Sequence, residues 1–207
     1  NDLTRAKFLA SSGKEIYVSL APSWITEFPE YTAEQMIAAI RRLGIRGVSE
    51  TALGAQEVTS KTVEILQKSA AKGEKKLFIS TACPAVVEYV EKYLPELTPN
   101  LTPVSSPLLA HCRMLKDKFG SQIETIFIGP CIAKKLEADR HPDLLSLAIS
   151  FTDLRQWFKD EGIDPAQTKP GVFDVFVLDK AKEGTAYPIE GGMLETIRAH
   201  KLSDDIY

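Results

Sequence analysis

Lys76-Leu-Phe-Ile-Ser-Thr-Ala-Cys-Pro-Ala-Val-Val-Glu-Tyr89 decides how the rest of the chain is read. Its apolar run, Leu77 to Ile79, has the length and composition of a buried strand. The run stops at Ser80-Thr-Ala-Cys83, and Pro84 opens a helical spacing at Val86, Val87, Val90, Tyr93 and Leu94. Proline is favoured at the first helical position, where its missing N–H would go unpaired anyway. Cys83 is therefore expected where a strand hands over to a helix, beside free amides and the positive end of a helix dipole. That setting favours thiolate, the form that ligates metal or attacks electrophiles.

The arrangement occurs a second time. Glu124-Thr-Ile-Phe-Ile128 reads as another short strand, followed by Gly129-Pro-Cys131, with Lys134 and Lys135 close behind the cysteine. In open parallel sheets, ligand sites form beyond the carboxyl ends of strands, so two cysteines placed this way can converge on one ligand. Taken singly, each is as readily a small buried hydrophobe.

Working toward the N-terminus, Gln56–Lys72 reads as a helix with Val58, Thr62, Ile65, Leu66 and Ala70 inward, and Gly47–Thr51 as a short strand. Thr32-Ala-Glu-Gln35 fits a capping box, opening a helix that buries Met36, Ile37, Ile40 and Leu43 and stops at Gly44. Glu15–Ala21 is the first buried strand, ending in the hydroxyl-bearing loop Pro22-Ser23-Trp24. Asp2 is placed to cap a helix over Leu3–Ala10. Toward the C-terminus, the prolines at 95, 99, 103 and 107 make a crossover loop. A helix over Leu108–Phe119 follows, and a strand at Leu147–Phe151 comes after the Cys131 unit. A helix begins at Thr152, with Leu154, Trp157 and Phe158 inward. Val172–Leu178 reads as a last strand, and Ile189–Met193 leads into a final helix to about His200. Strands alternating with helices predict a parallel α/β fold.

Composition narrows the function classes. A chain of 207 residues with 44% hydrophobic and 26% charged content is ordinary for a soluble globular protein. A net charge of −3, with no basic stripe, argues against nucleic acid. No apolar run is long enough to span a membrane, and no secretory signal is visible. Three widely spaced cysteines make no disulfide framework, which points to a reducing cytoplasm. The first residue is Asn, so an excised piece of a longer protein is expected.

The residues alone leave the chemistry open. Cys83 and Cys131 are far apart and neither belongs to a close pair, which argues against structural zinc. His111-Cys112 lies in a helical pattern and reads as packing and surface. His141 and His200 have no supporting constellation, so a cysteine nucleophile lacks a visible base. Lysines in a first helical turn can hold an anion but are usually solvated, and Glu190-Gly-Gly192 is too short for a phosphate loop.

Together these segments resemble the iron-only ([FeFe]) hydrogenase large-subunit domain, over nearly the whole chain. Ser80-Thr-Ala-Cys-Pro84 resembles the family's Thr-Ser-Cys-Cys-Pro signature. Gly129-Pro-Cys-Ile-Ala-Lys-Lys-Leu-Glu-Ala138 resembles its Met-Pro-Cys-x-x-Lys-x-x-Glu-Ala signature. Tyr93-Leu-Pro-Glu-Leu-Thr-Pro-Asn-Leu101, Ser106-Pro107, Leu20-Ala-Pro-Ser23 and Glu190-Gly-Gly-Met-Leu-Glu195 match further segments in order. The resemblance implies two lobes of parallel sheet flanked by helices, gripping the H-cluster: a [4Fe-4S] cube joined through a cysteine sulfur to a di-iron centre carrying carbonyl and cyanide. The implied lobes are 1–100 plus 172–207, and 101–171, in one domain spanning 1–207 that is incomplete at its C-terminus.

By the same resemblance, Cys83 and Cys131 are two of the cube's thiolate ligands. Lys134 sits against a cyanide, Ser23 and the Pro22 backbone line the pocket, and Glu137 braces the lysine. The family's third signature, a Cys-x-x-x-Cys that supplies the other two ligands, does not occur before Tyr207. A truncated piece, with the cluster absent or incomplete, is therefore expected. At Ala82 active members carry a proton-relay cysteine. Placed without gaps, their proton-path carboxylates fall on Thr62 and Ile65, a pocket glutamine falls on Leu108, and Gly129 replaces a methionine, enlarging the pocket.

These losses resemble the sensory hydrogenase branch: a hydrogen sensor or a low-activity hydrogenase. The expected partners are molecular hydrogen, protons and ferredoxin-type electron-transfer clusters. An attached signalling domain and a homodimer are also compatible with the resemblance. Two other readings stay open. One is a non-catalytic iron–sulfur protein similar to hydrogenase-like assembly factors; the other is a metal-free cysteine enzyme.

Overall fold

Ile16-Tyr-Val-Ser-Leu20 forms strand β1, and all five residues are buried. A strand covered on both faces belongs in the middle of a helix-flanked sheet. It is found there in this computed structural model, which describes residues 1–73, 77–178, 180–182, 184, 187, 189 and 191–200. β1 pairs in parallel with β2 (Gly47–Glu50) on one side and β3 (Glu124–Ile128) on the other. β3 in turn pairs with β4 (Leu147–Ile149), giving the order β2-β1-β3-β4. The expected parallel α/β architecture is present. The chain leaves β1 for β2, then returns to β3 on the opposite side of β1. Such a reversal opens a crevice at the strands' carboxyl ends.

Helices α1 (Asp2–Ala10), α2 (Trp24–Glu27) and α3 (Ala33–Arg42) precede β2. Then come α4 (Ala52–Ala71), α5 (Pro84–Tyr93) and α6 (Pro107–Phe119), before β3. α7 (Lys134–Arg140), α8 (Phe151–Asp160) and α9 (Gly192–Arg198) complete the order. Glu190, just ahead of α9, lies outside the described residues. The capping box forms as expected, with the Thr32 hydroxyl accepting from the Gln35 amide and the Gln35 side chain accepting from the Thr32 amide. Among the described residues, no helix is long and apolar enough to cross a membrane.

Several expectations are corrected. Asn1, not Asp2, caps α1, and Asp2 falls in its first turn. Leu77–Ile79 forms no strand: its β pairing is an isolated bridge from Ile79 to Leu101, and Leu77 is exposed. A strand needs a continuous neighbouring ladder, and one bridge does not supply it. Val172–Leu178 also forms no strand. Asp174 turns the chain by accepting from the Gly171 amide, and Arg41 grips its carboxylate at 2.5 Å. Val177 alone adds a backbone bond to Val48. On α4 the buried side is Ala52, Ala55, Val58, Thr59, Val63 and Ser69, whereas Ala70 is exposed. Finally, β1 and β3, expected in different lobes, are direct neighbours in one sheet.

Candidate functional site

Cys83 occupies the N-cap of α5 with Pro84 at its first helical position, as the sequence indicates. Cys131 leaves β3 through Gly129-Pro130, and its carbonyl accepts from the Lys134 amide as α7 begins. Both thiols are exposed. The loop after β1 is fixed by the Ala21 amide, which donates to the Ile128 carbonyl at 2.9 Å and brings Pro22 and Ser23 beside the Cys131 turn. At the carboxyl ends of β1, β2 and β3 these segments line an open cavity of about 330 Å³. Pro22, Ser23, Ala82, Cys83, Cys131 and Lys134 all line it.

Glu137 stands behind the wall rather than in it. Its carboxylate meets the Lys134 ammonium at 2.6 Å, and both side chains are nearly buried. The ammonium also donates to the Ala82 carbonyl at 3.2 Å. On its other side Glu137 borders a smaller pocket with Thr81, Arg140 and His141. Arg140 reaches Glu88 and Glu91 of α5, so α5, which Cys83 caps, and α7, which begins three residues after Cys131, are also linked by ion pairs.

The positions read as departures fall in different places. Leu108 lines the cavity as an apolar wall. Thr62 and Ile65 lie farther along α4 than Ala52 and Ala55, which do reach the cavity, and the Thr62 hydroxyl donates back to the Val58 carbonyl. Gly129 does not enlarge the pocket. A Cβ there would stand 2.4 Å from the Phe127 ring and 2.7 Å from the Ala21 Cβ, so Phe127 already fills that space and forms the wall.

The sequence reading missed Thr51, Gly184 and Tyr187, all of which line the cavity. Gly184 passes so close to α4 that a Cβ would lie 1.9 Å from the Ala52 carbonyl. Tyr187 shares a hydrogen bond of 2.9 Å with Thr59, and burial raises its phenol above the ordinary value. Nothing in the local sequence pattern marks these residues. His111-Cys112 is wholly interior rather than partly surface. Burial lowers the His111 pKa to about 3 and pushes the Cys112 thiol up to about 12.

The donor set suits a thiophilic metal cofactor in part. Two accessible thiols on an apolar wall, with an ammonium beside them, suit an iron–sulfur group carrying anionic ligands. A [4Fe-4S] cube takes four thiolates, and Cys112 is sealed in the core. Among the described residues, no three His, Cys, Asp or Glu side chains are grouped to hold a metal ion.

A family model described as iron only hydrogenase large subunit, C-terminal domain, matches residues 14–205. The chain is 26% identical over 208 residues to the periplasmic [Fe] hydrogenase large subunit of Nitratidesulfovibrio vulgaris, spanning 92% of this chain and 49% of that protein. It is 30% identical over 142 residues to the cytosolic Fe-S cluster assembly factor NAR1 of Vanderwaltozyma polyspora, spanning 66% of this chain and 26% of that one. Among solved structures, a variant of [FeFe]-hydrogenase HydA1 from Chlamydomonas reinhardtii superposes with a TM-score of 0.74 at 25% identity. That match covers 95% of this chain and 57% of that one. The chain thus spans about half, or less, of the curated relatives it matches.

Proposed function

Because the chain belongs to the family formed by the C-terminal domain of iron-only hydrogenase large subunits, we propose that it is the H-cluster-binding part of a hydrogen sensor or low-activity hydrogenase. The observation that carries this reading is the meeting of Cys83, Cys131 and Lys134 on one cavity whose relay position is Ala82. When bound, the cluster supplies the redox chemistry that interconverts hydrogen with protons and electrons. Cys83 and Cys131 would hold it by two thiolates. The Lys134 ammonium would face an anionic cyanide ligand, held in place by Glu137 and the Ala82 carbonyl. Ser23 and Pro22 would close the wall beside the Cys131 turn.

Ala82 has no side-chain proton to pass, and Leu108 puts hydrocarbon where a polar contact would help. A positioned acid–base group typically contributes about 10²–10⁴-fold to rate, so its loss leaves slow turnover even with the cluster in place. Slow turnover with retained hydrogen binding suits a sensor. The reading carries with it hydrogen and protons as ligands, ferredoxin-type clusters as electron partners and the cytoplasm as compartment.

A second reading has its own support: the similarity to NAR1 and to the narfl assembly factor of Xenopus tropicalis. Under it, the chain carries an iron–sulfur cube without the di-iron centre. The infrared spectrum of the full-length gene product, matured anaerobically, separates the two. Carbonyl and cyanide bands that shift under hydrogen are expected for a sensor or hydrogenase. Iron–sulfur absorption without those bands would favour the assembly role.

A further inference from the structure

Ser19 of β1 and Ser49 of β2 are register partners on the same face of the sheet, and both are fully buried. Buried hydroxyls need partners, because an unpaired one loses the hydrogen bonds water would have given it. A single side chain from α6 serves both. His111 Nδ1 lies 2.8 Å from the Ser19 hydroxyl, and Nε2 lies 2.9 Å from the Ser49 hydroxyl. The ring reaches this depth because α4 presents Gly54 to α6, where a Cβ would lie 1.9 Å from the Pro107 carbonyl and 2.8 Å from the His111 Cβ. Thr51, two residues beyond Ser49, points to the same face. Its hydroxyl stands 2.7 Å from that of Ser19, and the residue lines the cavity. A continuous chain of hydrogen bonds, Ser49–His111–Ser19–Thr51, therefore runs from the interior to the cavity wall.

Such a chain has a direction. The imidazole, kept neutral by burial, donates from one nitrogen and accepts at the other. With the proton on Nδ1, the ring donates to Ser19, Ser19 donates to Thr51, and the Thr51 proton is left for the cavity. With the proton on Nε2, every bond reverses, and Thr51 turns a lone pair to the cavity.

We infer that His111 is a positioning residue of the cavity: through Ser19, its tautomer sets whether the Thr51 hydroxyl offers a proton or a lone pair to the bound group. An anionic group, which the Lys134 ammonium also suits, selects the donor sense and hence the Nδ1–H tautomer. Only the identity of that group rests on the proposed function. The hydrogen-bonded chain stands without it.

The test is nitrogen NMR of ring-labelled histidine in the protein as isolated, with the His111 signals assigned by their loss in His111→Gln. The wild type should show one neutral tautomer, a protonated and a bare nitrogen, unchanged from pH 8 to pH 5. Thr51→Val, which keeps the side-chain shape, and Ser19→Ala should each move both nitrogen signals. His111 signals identical in Thr51→Val and wild type, or an even mixture of tautomers in wild type, would overturn the inference. In matured protein, Thr51→Val and Ser19→Ala should shift the cyanide bands alike, and the double variant no further. A purely structural role for His111 would lower the melting temperature and leave those bands in place. Absence of cyanide bands in wild type counts against the proposed function, while the nitrogen spectra still decide the coupling.

Discussion

The Lys134 ammonium donates across 3.2 Å to the carbonyl of Ala82, tying the Cys131 segment to the residue before Cys83. The same ammonium meets Glu137 at 2.6 Å, in a setting where both side chains are nearly buried. Removing one partner of a buried pair strands the other charge and typically costs about 3–5 kcal/mol. Glu137→Leu should therefore destabilise by about 3 kcal/mol in urea unfolding, whereas Lys134→Met with Glu137→Leu should cost less than the single change. A double variant that is the sum of the singles would mean the two groups do not act as a pair.

The three cysteines should separate cleanly by reactivity. Cys83 and Cys131 are exposed, while Cys112 is buried with its thiol pushed up to about 12. Thiolate is the reactive form, so both access and ionisation disfavour Cys112. A maleimide followed by mass spectrometry should label two sites in the native, metal-free protein. The third should follow about a hundredfold more slowly, and quickly once the chain is unfolded. Rapid labelling of all three would show that α6 is not seated as described.

The features legible in the sequence were those with a local cause. The Thr32–Gln35 capping box and Pro84 at a helix start act over a few residues, so their pattern alone locates them. Cys131 was legible because a strand-to-helix hand-over puts a residue at the sheet's carboxyl edge, and Cys83 because Pro84 marks the helix start that it caps, although no strand precedes it. Other features depend on pairs distant in the chain. The isolated Ile79–Leu101 bridge, the Phe127 ring over Gly129 and the Gly184 approach to Ala52 leave no periodic trace. On α4, Val58 is buried as read, but the helix starts earlier, at Ala52, and Ala70 is exposed; Gly54, Ala55 and Thr59, small residues with little hydropathy signal, face its neighbours instead.

Gly54 tests that close approach directly. A Cβ there would collide with the Pro107 carbonyl at 1.9 Å, and backbone cannot swing aside as a flexible side chain can. Gly54→Ala gains helix propensity of about 1 kcal/mol on paper, yet overpacking of this kind costs about 1–3 kcal/mol or more. The net effect should be destabilisation, with the His111 ring nitrogens moving as α6 is pushed off. Any gain in melting temperature would show that α4 and α6 are less tightly apposed.

Ala82 offers a gain-of-function test. It lines the cavity beside Cys83, with its carbonyl held by Lys134 and its amide held by the Ser80 hydroxyl at 3.2 Å. Ala82→Cys adds a titratable thiol without disturbing either bond. If only this relay group is missing, hydrogen turnover of the matured full-length protein should rise by about tenfold or more. No gain would place the block at the apolar wall, and Leu108→Gln added to Ala82→Cys would then be the variant expected to respond.

His111 makes stability depend on pH in a window separate from the carboxylates. Its native pKa is lowered to about 3, against about 6.5 in an unfolded chain. Between these values the unfolded state binds a proton that the native state does not, so stability falls as the medium is acidified. The contribution is fully present above about pH 6.5 and declines by up to about 1.4 kcal/mol per pH unit toward pH 3. Asp2, Glu124 and Asp160 are held below their ordinary values by lysine partners and therefore act mainly below this window's midpoint. Urea unfolding of wild type should lose stability steadily from pH 6 to pH 4.5, and His111→Gln, although less stable at pH 7, should lose much less over that range. Parallel slopes for the two proteins would mean that the buried ring is already protonated, or that water reaches it.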